Sequence, residues 1–315
     1  CGSAKHGTIC RHYSWEFCPQ HHKMDYTQKI IDYIRKNIEE KEMTDHTFAI
    51  CAYQESPYLE ACIRSLKKQT VASAICLATS TPSDYLKNIC EKYDIAYYIR
   101  DGRSNIADDW NFALSVADTE YVTIAHQDDI YEAAYTEEIL KIADQKDTEA
   151  RKTLLLFSDY RELIDDRKYS DRKNLKIKRI LLGPLKNEKK QGRRWRKRAV
   201  LRFGNAICCP AVTYHKTVIC EYLRQEKRVD LFLKHFRSNL DWQTWEWLSR
   251  KEGEFVYIPE CLMAHRIHED SETSATIRDH ERGQEDFEVF CKFWPKWIAR
   301  ILAGAYGTSE KGNEI

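Results

Sequence analysis

Apolar and polar positions alternate in a regular rhythm along residues 47–158. Short apolar runs at 47–52, 74–79, 95–99, 121–125 and 153–158 are separated by stretches of helical periodicity at 58–68, 83–93, 105–116 and 133–143. Short runs followed by amphipathic stretches predict strand–helix repeats that build a parallel sheet, so the expected class is α/β with helices flanking a mostly parallel central sheet. Ligands in such sheets bind outside the carboxyl ends of the strands, so the polar segments after Ala52, Thr79, Ile99 and Ala125 are expected to converge on one cleft. Upstream, Ile30, Ile31, Ile34 and Ile38 recur at helical spacing and predict an amphipathic helix over 26–42. Downstream the rhythm loosens into a charged region (161–202), a segment at 204–216, a Trp-rich helical stretch (241–251) and an apolar run (255–258). No Pro/Gly/Ser-rich linker and no repeat marks a boundary. The change of pattern alone divides the chain into a leader (1–45), a regular half (46–160), a less regular half (161–270) and a helical tail (271–315).

Composition narrows the classes. A chain of 315 residues with 43% hydrophobic and 12% aromatic content can bury a sizeable core, which excludes global disorder. The formal net charge of +1 gives no argument for a nucleic-acid partner, so any basic signal must be local. No stretch reaches the roughly 18 consecutive apolar residues that span a bilayer, and no signal-peptide pattern opens the chain, so it reads as soluble and cytoplasmic. Of the twelve Cys residues, Cys51, Cys62, Cys76 and Cys90 fall in apolar or amphipathic runs, as free thiols of a reduced protein do. Cys1, Cys10, His12, Cys18, His21 and His22 are ligand types that zinc favours, at a spacing that matches no common zinc knuckle; a zinc site and a loosely ordered leader both stay open.

The chemistry concentrates in Ala125-His126-Gln127-Asp128-Asp129, where two carboxylates follow an apolar strand. Mg2+ or Mn2+ takes oxygen ligands and keeps open positions for phosphates, so one or two carboxylates suffice to hold a nucleotide diphosphate. The competing reading is a helix N-cap beside a solvated acid. Neither GxGxxG after the first strand nor GxxxxGK[ST] occurs, so the usual glycine-rich phosphate cradles are absent.

Residues 46–270 resemble the inverting family 2 glycosyltransferases of the GT-A type. The likeness begins in Thr47-Phe48-Ala49-Ile50-Cys51-Ala52-Tyr53-Gln54-Glu55-Ser56 and the following Tyr58 to Thr70, which look like the opening strand, nucleotide loop and first helix. The resemblance implies a GT-A, Rossmann-like fold, with residues 46–160 binding a nucleotide sugar and residues 161–270 forming the acceptor side. It places Tyr53 and Glu55 near base and ribose, Asp84 on the nucleoside, and Asn105 and Asn111 beside the diphosphate. The family often has Gly where Ile106 stands and Asp where His126 stands. Asp128, with Asp129, aligns with the metal-binding acid for Mn2+ or Mg2+; His126 is open between a weak ligand, a supporting partner and a hydrogen-bonded strand-end His. Asn239-Leu240-Asp241-Trp242 looks like the acidic segment near the acceptor, making Asp241 the candidate general base, against a plain helix N-cap. His265-Arg266-Ile267-His268 looks like the late loop over the diphosphate, with Arg266 as a donor contact and His268 as a further metal ligand. A UDP-sugar donor, hexosyl transfer and a glycan or glycolipid acceptor in bacterial cell-surface assembly follow from the resemblance alone. A sugar nucleotidyltransferase, or a non-catalytic carbohydrate or lipid-surface binder of the same fold, are the alternatives.

Two segments lie outside that likeness or interrupt it. Between Lys186 and Arg202 stand nine Lys or Arg and one Glu, with Trp195 among them. A solvated insert and a patch for anionic lipid or a phosphate-bearing acceptor compete here, and no nucleic-acid module accompanies the charge. Residues 290–302 interleave aromatics with Lys and Arg, which suits either packing onto the domain or a peripheral membrane contact at the inner face.

Overall fold

The computed structural model describes residues 45–148, 152–268 and 282–311. The expected helix at 26–42 and the N-terminal Cys/His cluster lie outside the described residues. Thr44–Ile315 forms one compact unit.

The predicted rhythm is present: β1 (His46–Ala52), α1 (Leu59–Leu66), β2 (Ala74–Thr79), α2 (Asp84–Tyr93), β3 (Ala96–Ile99), α3 (Ile106–Val116), β4 (Tyr121–His126) and α4 (Tyr135–Lys146), followed by β6 (Thr153–Ile164). β5 (Ile130–Tyr131) is a two-residue strand after β4. Alternate residues of the strands feed different cores, since successive side chains point to opposite faces. Phe48, Ile50 and Leu77 pack with α1, α2 and α4, whereas Ala49, Cys76 and Ala78 pack with α3 and the C-terminal helices. In α1 the buried residues Leu59, Cys62, Ile63 and Leu66 follow helical spacing, and Ser83 caps α2 by accepting the Leu86 N–H.

The second half is more ordered than its pattern suggests. It contains β7 (Arg167–Tyr169), α5 (Lys173–Leu181), α6 (Arg194–Ala199), β8 (Val212–His215), α7 (Lys216–Gln225), α8 (Leu240–Leu248), β9 (Glu254–Arg266), α9 (Arg282–Cys291) and α10 (Lys296–Lys311). The strands form one sheet in the order β3-β2-β1-β4-β8-β6-β9-β5, with β7 paired to β6. β8 runs antiparallel to both β4 and β6, β5 runs antiparallel to β9, and β6 and β9 are parallel, so the sheet is mixed in its second half. The apolar run read at 255–258 is only the start of the 13-residue β9.

The basic stretch is folded, which overturns the solvated-insert reading. Lys197 is fully buried and donates to the carbonyls of Lys251 (2.6 Å) and Gly253 (2.7 Å). Arg196 donates to the Pro184 carbonyl, and Arg198 pairs with buried Glu246 at 2.5 Å. Segment 290–302 packs onto the domain through Phe290 and Ala299, and the Trp294 indole donates to the Arg202 carbonyl at 2.7 Å. Trp195, Phe203, Trp297 and Ile301 remain exposed. The nine Cys among the described residues are free, and no described helix is long and apolar enough to cross a membrane.

Candidate active site

Strand pairing assembles the site. β1 and β4 are parallel with Cys51 opposite His126, so the loop after β1 lies beside the turn after β4. Gln127 ties them together: its side-chain carbonyl accepts the Tyr53 N–H (3.2 Å) and its amide donates to the Tyr53 carbonyl (2.9 Å). The Gln54 N–H donates to Thr81 Oγ1 (2.7 Å), which joins the loop after β2. On the other side, Ile130 of β5 pairs with Ala264 of β9, which sets Asp129 against His265 and Arg266.

Three potential ligand atoms, one each from His126, Asp128 and Asp129, lie within 4.8 Å of one another. Asp129 is fully buried; its Oδ1 accepts from His265 Nδ1 (3.0 Å) and from the Arg266 N–H (2.8 Å), while its Oδ2 has no hydrogen-bond partner. His126 Nε2 is also buried without a partner, and Nδ1 stands 4.0 Å from Asp129 Oδ2. Bare buried polar atoms are costly, and a coordinated cation relieves that cost. Burial lowers the His126 pKa, against the raising charges of Asp129 and Asp128, so the imidazole keeps a free lone pair. Burial alone would raise Asp128, but the hydrogen bond from His268 and the nearby imidazoles lower it, so the carboxylate is ionised. An N, O, O donor set of this kind fits a divalent first-row cation such as Mn2+.

Both histidines stand close to the acids. His126 joins Asp128 and Asp129, whereas His268 Nε2 bonds Asp128 Oδ2 (2.9 Å) and so orients the acid. Arg266 is buried: its Nε donates to the Asp128 carbonyl (3.0 Å), Nη1 pairs with Asp166 (2.9 Å), and the guanidinium lies 4.2 Å from the Tyr58 ring centroid.

The two Asn residues have structural work. Asn105 caps α3 by accepting from the N–H groups of Ala107 and Asp108. The Asn111 amide is consumed by residues 231–232: Nδ2 donates to the Phe232 carbonyl, and Oδ1 accepts from Leu231 and Phe232. The Asn111 amide is fully engaged in this conformation, whereas in Asn105 the cap uses only the side-chain carbonyl. Tyr53 and Glu55 are exposed on the β1 loop; Asp84 is exposed at the start of α2, and no contact joins it to the metal cluster among the described residues.

Asp241 is the second residue of α8, one past its start, so the N-cap reading fails; Asn239 holds that position. Its Oδ1 accepts the Trp242 N–H (2.6 Å) and its Oδ2 accepts from Asn205 Nδ2 (2.8 Å). Burial raises its pKa, against the lowering hydrogen bonds and the charges of Arg282 and Lys178. Burial, opposed by the charge of Lys178, raises the Cys208 thiol, and the charges of Asp129 and Asp241 add to that rise; Cys208 thus lies within electrostatic reach of both acids.

Sequence reasoning missed several supports. Gln127 sat inside the singled-out run, but a reciprocal side-chain clamp has no sequence signature. Asp109 is buried and gathers Arg100 Nε (2.8 Å), Ser80 Oγ and Ser104 Oγ (both 3.0 Å), which binds together the loops after β2 and β3.

A mostly parallel first half with flanking helices and an acidic cluster at the end of β4 is the architecture of a GT-A, Rossmann-like fold. Residues 47–202 match the family model described as glycosyl transferase family 2, and the chain belongs to that family. It is a glycosyltransferase, which sets aside the nucleotidyltransferase and non-catalytic alternatives. No curated protein matches the sequence. Among solved structures, Staphylococcus aureus TarS 1-349 in complex with UDP-GlcNAc is similar at 12% identity and a TM-score of 0.55, over 83% of this chain and 71% of that one. The mannosyltransferase PcManGT from Pyrobaculum calidifontis, in complex with GDP-Man and Mn2+, is similar at 14% identity and a TM-score of 0.50, over 92% and 84%. At these identities the likeness is one of fold.

Proposed function

We propose that the chain transfers a hexosyl group from a nucleotide sugar, a UDP-sugar first, to an acceptor hydroxyl with inversion and with help from Mn2+ or Mg2+. The observation that carries this reading is the His126, Asp128, Asp129 group, whose buried Asp129 Oδ2 and His126 Nε2 lack partners. These residues would hold the cation, which when bound neutralises charge on the leaving diphosphate. Arg266, fixed on the Asp128 carbonyl, adds a positive charge on the same side. Tyr53, Glu55 and Asp84 lie on the loops where the nucleoside would sit, and Asn105, whose cap uses only its side-chain carbonyl, would flank the diphosphate, while Asn111 holds residues 231–232.

Asp241 removes the acceptor proton while the acceptor oxygen attacks the anomeric carbon from the face opposite the diphosphate. The new C–O bond forms as the bond to the phosphate oxygen breaks, and the proton stays on Asp241. Burial favours this role, because a carboxylate with a raised pKa is a stronger base. Asn205 fixes the carboxylate plane. We read the acceptor as a glycan or glycolipid of the bacterial cell surface, met from the cytoplasm. Exposed Trp195, Phe203, Trp297 and Ile301, among exposed Arg194, Arg202, Lys296 and Arg300, support a peripheral membrane contact.

Calorimetric titration of UDP, GDP and dTDP with and without Mn2+ tests the donor half. Mn2+-dependent binding of one nucleotide that Asp128→Asn abolishes is expected; binding indifferent to both metal and variant refutes the metal site. Asp241→Asn should keep nucleotide binding and lose transfer.

A further inference from the structure

The hairpin of β6 and β7 turns through two residues only, since Ile164 pairs with Arg167. Asp165 and Asp166 make that turn with φ of 45° and 60°. Positive φ at both central residues marks a type I′ turn, whose second position favours glycine, so a side chain at 166 is held against the preference of the backbone. A strained position of this kind calls for a reason. The Asp166 carboxylate has one hydrogen-bond partner: its Oδ1 accepts from Arg266 Nη1 at 2.9 Å. The pair is unequal, with the Asp166 side chain 88% exposed and that of Arg266 8%. An ion pair with so exposed a partner adds little to stability, so what the contact supplies is the orientation of a buried guanidinium.

The hairpin that carries Asp166 is braced against the site. Leu163 of β6 stands opposite Arg266 of β9, and the Ile267 N–H donates to the Leu163 carbonyl at 3.0 Å. Arg161 of β6 and Lys168 of β7 both pair with Glu132, just after β5, at 2.9 and 2.7 Å. Asp166 therefore reaches Arg266 from a fixed frame. The guanidinium is held at three points: Nε on the Asp128 carbonyl, Nη1 on Asp166, and the Tyr58 ring beside it. A planar fork fixed at Nε and Nη1 also fixes Nη2, the one donor group of Arg266 without a protein partner among the described residues.

We propose that Asp166 is a positioning residue for the donor: it holds Nη1 of Arg266 so that Nη2 meets the leaving diphosphate beside the Asp128 cluster. This rests on the proposed function for the place of the diphosphate. The opposite role for a carboxylate at this distance is to compete with the diphosphate for the guanidinium, and the two roles differ in sign. Removing a positioning residue weakens nucleotide binding; removing a competitor strengthens it.

The test is calorimetric titration of the full chain with UDP, GDP and dTDP, each with Mn2+, beside scanning fluorimetry of each variant without ligand. Asp166→Gly removes the carboxylate and suits the turn, so it should unfold no earlier than wild type while nucleotide affinity falls about tenfold, the worth of one charge-assisted hydrogen bond. Asp166→Asn keeps an acceptor for Nη1 and tolerates the left-handed backbone, so it should retain most of the affinity. In an Arg266→Lys background Asp166→Gly should add no further loss, because Asp166 acts through a fork that Lys lacks. The proposal is overturned if Asp166→Gly leaves the affinity unchanged or raises it, if Asp166→Asn loses as much as Asp166→Gly, or if the loss persists in full in the Arg266→Lys background. It is also overturned if Asp166→Gly unfolds several degrees early, as removal of a merely structural acid would. A wild-type chain that binds none of the three nucleotides refutes the donor assignment and this proposal with it, whereas unchanged variants beside a wild type that binds refute the proposal alone.

Discussion

Replacing Asp129 by Asn separates a metal ligand from a structural acid. Oδ1 of Asp129 accepts two hydrogen bonds, from His265 Nδ1 and the Arg266 N–H, and an Asn carbonyl can accept both. Oδ2 accepts none, so the amide that replaces it breaks no bond. The variant leaves that amide without an acceptor but relieves the burial of a charge, two terms of similar size, so metal-free stability should change by no more than about 1 kcal/mol. The ligand-linked term is different. At a hundredfold excess over Kd, a ligand that binds only the folded chain adds about 2.7 kcal/mol. Unfolding entropy of ~2.1 cal/mol/K per residue over roughly 270 residues of the compact unit is about 0.57 kcal/mol/K, so UDP with Mn2+ should raise the wild-type Tm by about 5 °C. Scanning fluorimetry in EDTA, in Mn2+, and in Mn2+ with UDP reads all of this. The variant should match wild type in EDTA and gain nothing from the pair of ligands. A variant that gains the same 5 °C, or one that loses several degrees in EDTA, refutes the reasoning.

Three further outcomes are expected. Gly253 has φ +113, and a Cβ there would stand 2.8 Å from Leu154 Cγ and 2.9 Å from the Lys152 carbonyl, so Gly253→Ala should cost about 3 kcal/mol in urea unfolding. Asn111→Leu removes three hydrogen bonds to residues 231–232 and should cost about 2–4 kcal/mol by the same assay, with a loss no larger than about 1 kcal/mol refuting the clamp. Burial would lower the His215 pKa, but the hydrogen bonds and charges of Asp147 and Glu120 raise it; burial would raise Asp147, but bonds from His215, Tyr121 and Thr153 lower it. The His215 contribution is fully present below its unfolded pKa of about 6.5 and fades as pH rises through the raised folded value, while that of Asp147 is present above about pH 4 and fades below it. His215→Asn should therefore flatten the alkaline limb of a Tm-against-pH curve, and an unchanged limb would remove the pair from the account.

The regular half was legible because β1, β4 and most of β2 are buried on both faces and the helices on one, so hydrophobic period and element coincide; β2 was read to the residue. β8 was not, since a four-residue strand in the segment 204–216 carries no period of its own. The extent of β9 was hidden for another reason: exposed Pro259 and Glu260 interrupt its apolar run where the pairing with β6 shifts register. Acids were legible by type at the end of β4, and His126 is local to them in sequence; that His268 also reaches Asp128 depends on the antiparallel pairing of β5 with β9, which brings the end of β9 to that turn. The basic stretch misled for a physical reason: a Lys beside backbone carbonyls can be an interior residue, and composition counts it as a surface one.

The antiparallel return of β8 between β4 and β6 has an architectural consequence. Each long edge of the donor strands is completed by chain that arrives later: β8 closes the free edge of β4, and β9 delivers His265 and Arg266 to the acids that β4 ends in. The family match stops at residue 202, before either strand. A fragment cut there would expose an unpaired central strand and leave Asp129 without the donors that hold it. The two halves of the sequence are thus not two modules that could be exchanged between relatives; they are interleaved, and the chain after residue 202 is part of the frame on which the His126, Asp128 and Asp129 cluster stands.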